Sequence, residues 1–195
     1  MGFFDLFKDK RKEFAPAIYG AFRPRIEVVK KYGKWNKDLS FGESFIQNEY
    51  LIAFLNMHIN MTAKANGIEG IEVGKLAAKV YEQMDPVFKD FSKLEILMDR
   101  YHDLSSKGSK EFKLATDEAF MFYNVLTNHP AINEFANNSI YKKAHKYFTS
   151  GGAKKDNDFA KKIMPKDSYN SELMESAPTN ILIAHKIFEL TFVNK

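Results

Sequence analysis

From Phe41 to Ala65 the polar side chains Glu49, Asn56, Asn60 and Lys64 keep to one narrow helical stripe. Phe45, Ile52, Phe54, Leu55, Ile59 and Met61 cover most of the remaining circumference. A helix apolar over that much of its surface has to be surrounded by other elements. The stretch therefore predicts a central, largely buried helix near 41–65, and Asn66-Gly67 supplies a C-terminal cap for it. The same period runs through most of the chain, and no two alternating runs joined by a tight turn mark a hairpin.

Later helices are expected from their starts. Asp85 before Pro86 is an N-cap followed by proline at the first helical position, where the missing N–H costs nothing. Val87, Phe91, Leu94, Met98 and Tyr101 follow at core spacing, up to Ser105–Gly108. Ser109 can cap the next helix, with Phe112, Ala115, Ala119, Phe122 and Leu126 on its inner stripe. Asn128-His129-Pro130 repeats the cap-then-proline pattern for a helix carrying Ile132, Phe135, Ile140, Ala144 and Phe148, which should end at Gly151-Gly152. A shorter helix over Gly74–Met84 links the central helix to the one starting at Pro86. The stretch 150–176 is rich in Gly, Lys, Asp, Asn and Ser and reads as a polar loop, and an apolar helix from Thr179 to Val193 closes the chain. Residues 22–40 fit a helical turn or an extended segment equally well. The expectation is an all-α fold, a single-domain helical bundle of about six to eight helices. An amphipathic segment over 1–14 precedes one helical domain over 15–195.

Composition removes several classes of function. The 195 residues include no cysteine, so disulfides, thiolate metal sites and cysteine nucleophiles are absent. The longest apolar run, Leu51-Ile52-Ala53-Phe54-Leu55, falls far short of the roughly 20 residues a membrane span needs. The formal net charge of +4 conceals an asymmetry. Residues 1–40 carry 10 basic and 5 acidic side chains, residues 41–135 carry 9 and 14, and residues 136–195 carry 10 and 6. Two basic ends flank an acidic middle, a pattern that bears on partners rather than on fold.

The most distinctive local feature is the opening Met1-Gly2-Phe3-Phe4-Asp5-Leu6-Phe7, followed by Lys8, Lys10, Arg11 and Lys12. Written as a helix it gathers Phe3, Phe4 and Phe7 ahead of the basic residues. Interfacial anchors use this arrangement, with rings in the acyl boundary and cations on anionic lipid. The competing expectation is that the phenylalanines dock on the helical core. The segment lacks the order of a signal peptide, and Leu6 stands where a myristoylation site has Ser or Thr.

Other candidates meet plainer explanations. His58 and His185 sit on apolar helix faces, where a histidine is usually a hydrogen-bonded core residue; as ligand contacts they would be the polar groups of an aromatic-rich pocket. Glu95, Asp99 and His102 share a face, but carboxylate-bridged bundles draw Glu-x-x-His pairs from two helices, and none occurs here. No metal and no cofactor is expected. Lys142, Lys143 and Lys146 begin a basic stretch over 142–166, interleaved with Tyr141, Tyr147 and Phe159, that offers contacts to an anionic ligand. All four arginines of the chain lie outside it, and base recognition favours arginine, so nucleic acid is disfavoured. Ala63, Gly67, Val73 and Leu76 imitate a helix-turn-helix spacing, but the would-be recognition helix starts with Glu69 and Glu72, which phosphates repel. Phosphate-binding loops, dinucleotide fingerprints, nucleophile elbows and zinc-protease motifs are all missing.

The expected function is accordingly a non-enzymatic helical interaction protein of adaptor, inhibitor or immunity type. It would be bacterial and cytoplasmic, peripheral to the inner membrane through its first residues, and bound to a protein partner through its acidic middle. The alternative is a helical small-molecule binder or enzyme using an interior lined by the chain's 18 phenylalanines and 9 tyrosines.

Overall fold

The structure is a computed structural model that describes residues 10–127, 129–149, 183, 186, 187, 189 and 190. Among them are seven α-helices: α1 (Lys10–Tyr32), α2 (Phe41–Gln47), α3 (Glu49–Ala65), α4 (Ile71–Met84), α5 (Phe91–Lys107), α6 (Lys110–Leu126) and α7 (Ser139–Thr149). Two 3-10 helices, Pro86–Lys89 and Pro130–Phe135, lie between them, and the described residues contain no strand. The all-α expectation holds, and no described helix is long and apolar enough to cross a membrane.

The described residues fall into two compact units, divided at Phe22/Arg23, Asn36/Lys37 and Phe112/Lys113. In the first unit the expected central helix is present but broken at Asn48. That residue closes α2 by donating its N–H to the Phe45 carbonyl, and opens α3 by accepting from the Leu51 N–H at 2.9 Å. A capping box starts α2: the Ser40 hydroxyl accepts from the Glu43 N–H while the Glu43 carboxylate accepts from the Ser40 N–H. Leu51 through Leu55, Ile59 and Ala63 of α3 are buried without interruption of the apolar pattern. The helix stops as expected at Asn66, before Gly67 at φ 65°.

Aromatic rings fill this unit's centre. Phe22, Phe45, Phe54, Tyr81 and Phe88 are all buried, with ring centroids 5.8–6.3 Å apart along the chain of contacts, the separation at which edge and tilted pairs are favourable. Asn56 enters the same core and donates to the Tyr81 hydroxyl at 2.6 Å and to the Ile52 carbonyl at 2.9 Å. Burial pushes the Tyr81 hydroxyl well above its ordinary pKa.

Two boundaries differ from expectation for identifiable reasons. Asp85 caps as foreseen, accepting from the Val87 N–H at 2.9 Å, but one 3-10 turn follows and Asp90 starts a new helix by accepting from the Ser92 N–H at 2.9 Å. The restart rotates the inner stripe to Leu94, Leu97, Tyr101 and Leu104, of which Leu97 and Leu104 are buried. Val87 and Phe91, expected inside, are therefore exposed, Phe91 at 76%. Likewise the helix expected from Pro130 to Phe148 is interrupted: Asn138 accepts from the Ile140 and Tyr141 N–H groups at 2.9 and 3.0 Å and opens α7 separately.

Residues 22–40, left open by the sequence, belong to α1 as far as Tyr32. In the second unit Ile26, Val28 and Val29 of α1 are buried, as are Ala115, Ala119, Phe122 and Val125 of α6, Ala144 of α7, and Ile183 and Ile187. Arg25 is fully buried there, its guanidinium 3.3 Å from the centroid of the Phe122 ring. Ser109 caps α6 as expected, accepting from the Phe112 N–H at 3.0 Å, and its hydroxyl donates to the Glu49 carboxylate. The expected polar loop at 150–176 lies outside the described residues.

Candidate interaction surface

The surface that stands out lies within the first unit, where α2 runs beside α5. Gly42 sets the approach. A Cβ there would fall 2.6 Å from Val87 Cγ1, so only the missing side chain lets α2 seat against the Pro86–Lys89 turn. One helical turn further along α2, Ile46 and Gln47 form one wall of an open groove of about 490 Å³, and Ile96, Asp99, Arg100 and Asp103 of α5 form the other. Ile46 is half-buried and Ile96 is 49% exposed. Two aliphatic side chains thus face solvent across a cleft rimmed by carboxylates.

The two rim carboxylates differ in how they are satisfied. Asp103 accepts from Lys107 Nζ at 2.8 Å and from Arg100 Nη1 at 3.3 Å, and the Lys107 hydrogen bond above all holds its pKa below the ordinary carboxylate value. Asp99 has no ion-pair partner among the described residues. Glu95, one turn earlier on α5, is exposed as well. Exposed ion pairs contribute little to stability, so α5 is not held in place by these charges, and the Asp99 carboxylate is available to an incoming cation. Phe91 and Val87 add exposed apolar surface at the start of α5 and just before it.

The residues singled out from sequence lie elsewhere. His58 is buried on α3, and its backbone carbonyl accepts from the Thr62 hydroxyl at 3.0 Å; it does not line the groove. Lys142, Lys143 and Lys146 are exposed on the flank of α7 away from buried Ala144, in the second unit. Next to them the Tyr141 and His145 rings lie 5.8 Å apart. Lys10, Arg11 and Lys12 fall in the first turn of α1, their side chains outside the described residues. Phe3, Phe4, Phe7, Lys8 and His185 lie outside the described residues altogether. Glu95, Asp99 and His102 are exposed along α5 as expected, and no group of three His, Asp or Glu side chains suited to a metal ion occurs among the described residues.

Sequence reasoning missed Ile46, Ile96 and the groove between them. The available signal was Ile96 itself, an isoleucine out of phase with the 94-97-101-104 stripe and therefore on the polar side of its helix. No family model matches the chain, and neither the curated proteins nor the solved structures give a match.

Proposed function

We propose that this chain is a non-enzymatic interaction protein, of adaptor, inhibitor or immunity type, which receives a basic segment of a partner protein in the α2–α5 groove. The observation that carries the reading is the pairing of an aliphatic floor, half-buried Ile46 and exposed Ile96, with a rim carboxylate, Asp99, that has no ion-pair partner among the described residues. An apolar anchor inserted in a small cleft and flanked by complementary charge is the usual economy of a protein interface. The acidic excess of residues 41–135 supports a cationic partner, because summed charge steers encounter as well as binding. The sequence Phe3, Phe4, Phe7, Lys8, Lys10, Arg11 and Lys12 supports a site of action at the inner face of a bacterial membrane.

The test is affinity capture from cells with wild type, Ile96→Asp and Asp99→Lys as baits. A stoichiometric partner held by the wild type and lost from both variants is the expected result. A partner retained equally by all three would place the binding surface elsewhere.

A further inference from the structure

We infer that the end of α1 and the residues just after it, 30–35, form a second contact surface, which docks on an anionic lipid layer. The surface lies wholly within the second unit, whereas the groove lies within the first. Its class of partner rests on a site of action at a membrane face, and the groove plays no part in it.

Buried Arg25, Val28 and Val29 share one stripe of α1. Tyr32 continues that stripe at helical spacing but is 43% exposed, so the last turn carries the core face of the helix out into solvent. Gly33 closes the helix, its N–H donating to the Val29 carbonyl at 2.8 Å. Cations gather at the same end: Lys30, Lys31 and Lys34, with no carboxylate between Glu27 and Asp38. Lys30 pairs with Glu27 at 3.2 Å. The helix dipole accounts for Lys30 and Lys31 in the last turn. It does not account for Lys34 beyond the helix, nor for the aromatic rings among the lysines. Lys31 Nζ lies 5.0 Å from the centroid of the Tyr32 ring, and Lys30 Nζ 5.5 Å from that of Trp35, the one tryptophan of the chain. Lys31, Tyr32 and Lys34 are exposed and Trp35 is half-buried.

Tyrosine and tryptophan set among lysines match a membrane–water interface, where rings sit at headgroup level and each ammonium meets lipid phosphate. Single-stranded nucleic acid fits less well. It needs open ring faces for its bases, and here a lysine of the chain's own already lies over each ring. The cations are all lysines, point charges suited to a diffuse layer of phosphates rather than to planar, bidentate recognition. Lysine is also depleted at protein–protein contacts, where arginine is enriched. A short apolar insertion such as Phe3, Phe4 and Phe7 holds weakly by itself, and a separate basic surface makes that kind of attachment stable.

Trp35 reports its own surroundings, because no other tryptophan contributes to the emission. The full chain is mixed with vesicles of phosphatidylcholine, alone or with phosphatidylglycerol, and with a parallel set brominated on the acyl chains. With phosphatidylglycerol present, Trp35 emission should move to shorter wavelength and be quenched by the brominated chains. Phosphatidylcholine alone should do neither. Lys31→Gln with Lys34→Gln, both exposed positions, should weaken partitioning about fivefold per charge removed. Emission indifferent to vesicles with which the chain still sediments overturns this surface and leaves the Phe3–Phe7 opening as the contact. Undiminished partitioning of the double variant overturns it too, as does quenching by oligodeoxythymidylate without a response to lipid. Failure of the opening is a separate result: Phe3→Ser with Phe7→Ser then sediments like wild type while the Trp35 response persists, which supports the surface at the end of α1. A chain that sediments with neither kind of vesicle overturns both.

Discussion

Among single residues, Asn56 and Tyr81 carry the sharpest consequence. Their hydrogen bond is a buried polar contact in a core built mainly of rings and aliphatic groups. Tyr81→Phe leaves the Asn56 amide with the Ile52 carbonyl alone, and urea unfolding should record a loss of about 1–2 kcal/mol. The same burial gives an alkaline limit. The Tyr81 hydroxyl is held neutral in the folded state, its pKa raised by desolvation, whereas in the unfolded chain it ionises near its ordinary value of about 10. The unfolded state therefore binds fewer protons above that value, and this contribution to stability is complete below about pH 10 and falls as pH rises past it. Tyr81→Phe should flatten that part of the alkaline stability profile. A profile of unchanged slope would show that the hydroxyl is not buried in solution.

At the level of helices, glycine separates two kinds of packing. Gly20 in α1 and Gly74 in α4 have open space at the Cβ position and no positive φ, so alanine at either should raise stability by about 0.5–1 kcal/mol. Gly42 is the reverse case: alanine there meets Val87 Cγ1 at 2.6 Å, forces α2 from its seat and should cost about 1–3 kcal/mol. Thermal melts of the three variants check the signs, and a stabilising Gly42→Ala would contradict the described contact between α2 and the Pro86–Lys89 turn. The helix starts were legible because caps are local. Asp85, Ser109 and His129 all act at the ends that sequence assigned them, the last by accepting from the Ala131 N–H at its Nδ1. Asn48 and Asp90 were harder to read: a short polar residue within a periodic run looks like part of the solvated stripe until its side chain is seen to cap. The helical path of residues 22–32 was obscured by Pro16 and Pro24, which argue against helix in isolation and are tolerated here by a helix held through Phe22 and Arg25. The groove was not legible, since it depends on how α2 lies against α5, a tertiary fact that reached the sequence only as an out-of-phase Ile96.

Over the whole chain, the small net charge of +4 is the residue of larger opposed charges, an acidic middle between two basic ends. The candidate groove belongs to the acidic part, and Asp99 within it has no ion-pair partner among the described residues, so a cationic partner of the kind proposed would reach it without displacing one. A partner held there should bind more weakly as salt rises, because exposed charges are screened over about 10 Å at 0.1 M ionic strength, while the contribution of Ile46 and Ile96 should persist. The central claim is that this groove is the binding surface. Its most direct test is calorimetric titration of the captured partner against wild type, Ile96→Asp and Asp99→Lys, alongside Lys142→Glu on α7 as a substitution remote in sequence and outside the first unit. Affinity is expected to fall at least tenfold in each groove variant, about 1.4 kcal/mol or more, and to stay at the wild-type value in Lys142→Glu. Undiminished binding by Ile96→Asp and Asp99→Lys would contradict the account.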